Sequence, residues 1–208
     1  SSIINEGIKI LKDNSISSAI LDAEILMAQA INKDREYVLL NSSKTVDKNH
    51  LNKFQKLIKN RSRKVPVAYL TKKKFFWKSE FIVSDKTLIP RPETELIVEN
   101  VLNLTKYKNK LSILDIGIGS GCILLSILKE KKNFYGTGID LSENCINISK
   151  INALNLNVSS RLRLFKTNVD KFKIGKYDLI VSNPPYISKC KIKYLESDVA
   201  KYEPRLAI

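Results

Sequence analysis

The stretch Leu111-Ser112-Ile113-Leu114-Asp115-Ile116-Gly117-Ile118-Gly119-Ser120-Gly121 constrains the fold of this chain more than any other. An apolar, partly β-branched run with the length of a buried strand gives way to glycines at alternate positions, and residues 122–131 then read as a helix. Glycines let backbone approach a ligand closely, and the helix N-terminus behind them supplies free N–H groups. Nineteen residues past Gly121, Asp140 closes a second apolar strand, residues 134–139. A carboxylate there can accept hydrogen bonds from a pair of sugar hydroxyls. The continuation through a helix and two further strands, near 161–165 and 177–182, predicts an α/β fold with a parallel sheet. The glycine spacing is not the Gly-x-Gly-x-x-Gly that admits a pyrophosphate, which disfavours a dinucleotide site.

A second feature lies at the end of that sheet, in Asp178-Leu179-Ile180-Val181-Ser182-Asn183-Pro184-Pro185-Tyr186. The run Leu179-Ile180-Val181 has the branching of a strand buried on both faces. Proline lacks an N–H and restricts the residue before it, so Pro184 and Pro185 end the strand and hold Asn183 extended. The carboxyl edge of such a sheet is where ligands bind. There Asn183, Pro184, Pro185 and Tyr186 offer a side-chain amide, free carbonyls and a ring face, which suit a flat group bearing an NH2. Asn-Pro-Pro is also ordinary turn chemistry, and the glycine-rich stretch upstream is what favours a site. Together these motifs resemble the class I S-adenosylmethionine-dependent methyltransferases, a Rossmann-like fold. The resemblance assigns cofactor binding to Asp115, Gly117, Ile118, Gly119, Ser120, Gly121, Asp140 and Asn183, and catalysis to Asn183, Pro184, Pro185 and Tyr186.

The rest of the chain divides by period. Residues 1–64 are helical in pattern: Ile3, Ile4, Ile8 and Leu11 recur at helical spacing, and Ser17-Ser18 is expected to cap a helix carrying Ile20, Leu21, Ile25, Leu26 and Ala30. A further helix over about 47–63 puts Leu51, Phe54, Leu57 and Ile58 on one face, the core of a small bundle. Between residues 65 and 89, Phe75-Phe76-Trp77 and Phe81-Ile82-Val83 flank Lys78-Ser79-Glu80 and predict a hairpin that links two domains. Leu88-Ile89-Pro90-Arg91-Pro92-Glu93-Thr94-Glu95 then leads into a helix. Residues 91–95 read either as lining the site or as a capped helix start with acidic residues at the positive end of the dipole.

Composition adds little. The net charge of +15 invites a polyanion, but Lys, Asn and Ile abound everywhere, which reads as a bias of the source. The cysteines, Cys122, Cys145 and Cys190, lack Cys-x-x-Cys spacing, and the sole histidine, His50, sits in a polar helical stretch, so neither a zinc site nor a disulfide framework is expected. No run resembles a membrane span or a secretory leader, and a cytoplasmic location is the expectation.

The segment around Pro90-Arg91-Pro92-Glu93-Thr94-Glu95, the loop of residues 115–121, Asn183-Pro184-Pro185-Tyr186 and Tyr202-Glu203-Pro204-Arg205-Leu206-Ala207 are together similar to the HemK family, the glutamine-N5 methyltransferases of peptide-chain release factors. This resemblance implies a helical substrate-recognition domain (1–64), a β-hairpin linker (65–89) and an S-adenosyl-L-methionine-binding domain (90–208). It implies a target glutamine held at residues 183–186, release factors as partners, a role in translation termination, and neither metal nor membrane. The chain departs from the family at Thr167-Asn168, where an acidic residue normally lies near the adenine and Asn168 is the expected substitute. It departs again at Lys72, near a usual glycine. The resembled sheet is seven-stranded whereas four strands are countable after Lys110, so the 208 residues are expected to be a C-terminally incomplete fragment. An amino-methyltransferase acting on a nucleic-acid base, which Tyr186 would stack, is the enzymatic alternative. A cofactor-binding remnant without activity is the other.

Overall fold

The structure, a computed structural model, describes residues 2–41, 44–185 and 201–204. Of these, residues 2–71 and 201–202 form one unit, and residues 72–185 with 203–204 form the other.

The first unit is helical: α1 (Ser2–Asp13), α2 (Ala19–Ile31), α3 (Arg35–Leu40), α4 (Lys48–Ser62) and α5 (Val67–Thr71). Leu11, Leu26, Phe54 and Ile58 lie in its core as the apolar spacing predicts, together with Ala23, whereas Ile20 and Leu21, expected on the buried face of α2, are exposed. The sequence reading has no counterpart to α3 and α5, because six and five residues are too few for an apolar stripe to repeat. Helix α4 begins where Asp47 accepts the amides of Asn49 at 2.9 Å and His50 at 3.1 Å, an N-cap that satisfies two otherwise orphaned donors. The expected cap on α2 is corrected: Ser18 precedes the helix, but its hydroxyl makes no capping bond. Inside the bundle Arg61 Nε donates to Asp22 Oδ2 at 2.6 Å, with both side chains buried.

The second unit opens with an antiparallel hairpin, β1 (Lys73–Phe76) and β2 (Ser79–Ile82). Phe76 pairs with Ser79, so the turn is the two residues Trp77 and Lys78 rather than Lys78-Ser79-Glu80. Phe76 and Phe81 pack edge to face at 6.1 Å within the core of this unit, and Trp77 donates its amide to Glu95 Oε1 at 2.7 Å and its indole N–H to Glu130 Oε1 at 3.0 Å. Lys72, near the place where the family resemblance implies a glycine, has φ +61°. A glycine adopts that conformation without a Cβ clash, whereas lysine adopts it under strain.

After a 3₁₀ turn, Pro92–Thr94, come α6 (Glu95–Leu104), β3 (Ser112–Ile116), α7 (Cys122–Glu130), β4 (Tyr135–Asp140), α8 (Glu143–Asn155), β5 (Leu162–Lys166) and β6 (Leu179–Ser182). The four strands run parallel in the order β5-β4-β3-β6. Strands β4 and β5 are laid down outward on one side of β3, and β6 lies on its other side. The chain therefore reverses its direction of winding between β3 and β6. In open α/β sheets the crevice outside the carboxyl ends at such a switch point takes the ligand. Helix α7 packs Ile123, Leu124, Leu125, Ile127 and Leu128 inward, and Arg161 donates to the carbonyls of Leu128, Lys131 and Phe134 at its far end, where cations suit the helix dipole. The expectation that β6 is buried on both faces holds for Val181 but not for Ile180, which is 59 % exposed. Alternate residues face opposite sides, and no described element covers the Ile180 face. Among the described residues no helix is long and apolar enough to cross a membrane.

Candidate active site

Strand register gathers the motifs that the sequence keeps far apart. Ile116 of β3 pairs with Ser182 of β6 and with Ile139 of β4, and Asp140 pairs with Lys166 of β5. The next residues along, Gly117, Asn183 and Thr167, thus follow neighbouring strand ends along one edge, with Asp140 among them. Ser182 Oγ donates to the Ile116 carbonyl at 2.8 Å and fastens β6 to β3 immediately before Asn183.

The loop between β3 and α7 is held from behind. The amides of Gly117 and Ile118 both donate to the Ile139 carbonyl, at 2.9 and 3.0 Å. Gly119 N–H donates to Asp140 Oδ2 at 3.0 Å, and Ser142 N–H donates to Asp140 Oδ1 at 2.8 Å. Asp140, expected to receive sugar hydroxyls, therefore also ties the loop to the start of α8. Each carboxylate oxygen accepts more than one hydrogen bond, so both uses are compatible. The glycines differ in their surroundings. Gly117 has φ +79° and open space where a Cβ would stand, while a Cβ on Gly121, at φ +84°, would meet Leu125 Cδ1 at 2.7 Å. The first leaves room for a ligand and the last lets α7 close onto the loop. Ile118 and Ser120 are buried.

Beneath the loop Asp115 is 1 % exposed, and neither of its carboxylate oxygens has a hydrogen-bond partner among the described residues. Burial pushes its pKa up to about 7; the Leu124 amide, near the carboxyl but outside hydrogen-bonding geometry, opposes the rise, and the charge of Asp140 adds to it. A buried carboxyl in this state suits a cationic ligand group, which would supply the missing hydrogen bonds.

Residues absent from the sequence reading complete the site. Ser149 Oγ donates to the Gly119 carbonyl at 2.9 Å. Asn152, 1 % exposed, donates to the carbonyls of Ser120 and Ile82 and accepts the Ile82 amide, joining the loop to the hairpin. Both lie on α8, three residues apart, and their only signal is a pair of polar residues on a face otherwise carrying Cys145, Ile146 and Ala153. Cys145 is buried, and burial pushes its thiol up to about 11, with the charge of Asp140 adding to the shift. A thiol kept protonated in this way is a poor nucleophile at neutral pH.

Asn183 donates through Nδ2 to Thr94 Oγ1 at 3.3 Å. Of residues 91–95, Glu95 lies in the first turn of α6 as the capped-start reading expects, but neither Arg91 nor Thr94 makes a capping bond; Thr94 touches Asn183, Arg91 pairs with Glu203 and Glu95 accepts from the hairpin turn. Asn168 Oδ1 accepts the Asp170 amide at 3.1 Å. Its Oδ1 keeps a second lone pair and its Nδ2 both hydrogens, so the side chain can still meet either an amine or a ring nitrogen. Tyr186 and Cys190 lie outside the described residues, and Pro184 and Pro185 are exposed at the strand's end. Among the described residues no group of three or more His, Cys, Asp or Glu could hold a metal ion.

Comparison with known proteins agrees with this arrangement. Residues 2–71 match the family model of the PrmC N-terminal domain, and residues 92–198 match that of the methyltransferase small domain. The release factor glutamine methyltransferase of Shewanella oneidensis is 37 % identical over 93 % of this chain and 67 % of its own length. The proteins of the same name from Clostridium acetobutylicum and Leptospira interrogans are each 35 % identical, over 96 % and 99 % of this chain and 71 % and 73 % of their own. Two domain families matched in order, with relatives aligned along nearly the whole chain, mean that the chain belongs to the release factor glutamine methyltransferase family.

Proposed function

We propose that this protein methylates the side-chain amide nitrogen, N5, of a glutamine in a peptide-chain release factor, and that it does so in the cytoplasm in support of translation termination. The observation that carries the proposal is the position of Asn183, whose amide stands one residue past the β6–β3 pairing and beside the glycine loop. Family membership supplies the chemical class.

The methyl donor of this family is S-adenosyl-L-methionine, and the residues present fit it. Asp115 offers an unpartnered buried carboxylate to an amino group, Gly117 leaves open space at the loop, and Asp140 and Asn168 stand at successive strand ends where ribose and adenine groups would be met. When bound, the cofactor supplies a methyl group already activated on a sulfonium.

An amide nitrogen is a poor nucleophile because its lone pair is delocalised into the carbonyl. Asn183 Oδ1 and the Pro184 carbonyl would accept the two amide hydrogens, Asn183 Nδ2 would donate to the glutamine carbonyl, and Tyr186 would stack on the amide plane. This orients the nitrogen lone pair for in-line transfer and favours its pyramidal form. Alignment of that kind supplies roughly 7–11 kcal/mol of a barrier, so no general base is required. The extra proton on the methylated nitrogen is acidic and leaves to water. In the helical unit, exposed Ile20, Leu21, Leu39 and Leu40 support a role in gripping the release factor.

Asn183→Asp keeps size but replaces a donor with a charge facing the glutamine carbonyl. Turnover should fall about 100- to 1000-fold with cofactor affinity little changed. Labelled-methyl transfer to a release factor measures this, with that factor's target glutamine changed to alanine as control. Equal labelling of the control, or stronger labelling of RNA than of protein, would favour a nucleic-acid substrate.

A further inference from the structure

A primary amide presents an acceptor on one side and two donors on the other, and rotation by half a turn exchanges them with almost no change in shape. For Asn183 the exchange matters chemically. An incoming glutamine brings N–H groups that need acceptors, and a reversed Asn183 would turn its own N–H groups against them. The side chain must also be held at one place and angle for either group to meet the glutamine.

Thr94 is placed to hold it. It occupies the position before α6 at which a threonine hydroxyl ordinarily accepts a backbone amide of the first helical turn. Here the hydroxyl makes no such bond, although the residue is only 8 % exposed. Its Oγ1 accepts from Asn183 Nδ2 at 3.3 Å instead, across 89 residues of sequence. The turn that carries Thr94 is fixed on three sides. Pro90 and Pro92 restrict their own φ. The Arg91 guanidinium pairs with Glu203, whose side chain is 1 % exposed and which also accepts the Ile89 amide at 3.3 Å. Glu95 accepts the Trp77 amide at 2.7 Å. A carboxylate that deep in the fold forfeits much of its hydration, and the arrangement gained is a rigid seat for one hydroxyl.

We infer that Thr94 is a positioning residue for methyl transfer: its hydroxyl holds the Asn183 side-chain amide in place through one Nδ2 hydrogen, so that Oδ1 and the second Nδ2 hydrogen stand ready for the NH2 and the carbonyl of the acceptor glutamine. This rests on the glutamine reading given above.

Thr94→Val and Thr94→Ser in the full-length protein test it. Valine keeps the shape and removes the hydroxyl, and serine restores the hydroxyl without the methyl. Thr94→Val should lower kcat roughly tenfold, the effect of losing one neutral hydrogen bond, with KM for the release factor and cofactor affinity within about twofold of the unaltered enzyme. Thr94→Ser should recover most of kcat. A side chain that merely packs would show the opposite order, with serine the more damaging. A separate readout needs no acceptor: in the unaltered protein one proton of the Asn183 side-chain amide exchanges slowly by NMR, and in Thr94→Val it exchanges fast. Full kcat in Thr94→Val, or serine no better than valine, overturns the inference. If the unaltered enzyme labels no release factor, the glutamine reading fails while the exchange measurement still decides the role of Thr94: unchanged exchange in Thr94→Val overturns it and faster exchange upholds it.

Discussion

Asp115 sits in the least favourable surroundings of any carboxyl in the second unit, buried with neither oxygen partnered among the described residues. In the unfolded chain it titrates near 3.8 and in the fold at about 7. Between those values the native state holds a proton that the unfolded state has released, so stability is greatest below the lower value and declines as pH rises towards the upper one. A shift of about three pH units corresponds to roughly 4 kcal/mol. Urea unfolding of the cofactor-free protein should therefore show stability decreasing from pH 5 to 7, and Asp115→Asn should remove most of that slope. Parallel slopes in the two proteins would mean that the carboxyl is partnered in solution. Asp115 was legible in the sequence because it belongs to a local motif. The partners of Glu203, Thr94 and Asn152 were not, since they lie 112, 89 and 70 residues away, and no spacing rule encodes which strand end a hydroxyl or amide will reach.

At the scale of elements, the order strand, glycine loop, helix, strand was readable because each part has its own period or its own breaker. What escaped were short pieces. Helices α3 and α5 are shorter than two turns, and the hairpin turn moved to Trp77-Lys78 because cross-strand pairing, not the polarity of Lys78-Ser79-Glu80, sets the register. The loop also shows how one motif divides into separate duties. Gly117→Ala places a methyl in open space at positive φ, so stability should fall by only about 1 kcal/mol. Cofactor affinity should fall at least tenfold, because the methyl occupies the space the loop offers its ligand. Gly121→Ala adds a clash with Leu125 to the same strain and should lower stability by about 2–4 kcal/mol. Calorimetric titration and urea unfolding of both variants check the division. A stability loss at Gly117→Ala as large as at Gly121→Ala would show that the space at Gly117 is filled by protein.

Across the whole molecule, the two buried clusters share no residue. Phe54 and Ile58 belong to the helical unit, whereas Phe76, Leu124 and Val181 belong to the sheet unit. Each unit thus has the core that a separately folding domain needs. The helical unit also buries an ion pair, Asp22 with Arg61, whose guanidinium further donates to the Val65 carbonyl at 3.3 Å. Asp22→Ala takes a charge-assisted hydrogen bond from that buried guanidinium, at a cost of about 1.5–3 kcal/mol. The substitution should therefore weaken the helical unit and leave the sheet unit intact. Native-state hydrogen exchange measures both at once: amides of α2 and α4 should lose protection while those of β3 and β4 keep theirs. Cofactor affinity, assigned above to the sheet unit, should on that proposal remain within about twofold, a change of roughly 0.4 kcal/mol. On the proposal that the helical unit grips the release factor, the KM for that substrate should rise, because less of the unit would be folded. Equal loss of protection in β3 and β4 would mean that the two cores unfold as one, and an unchanged KM would remove the helical unit from substrate recognition.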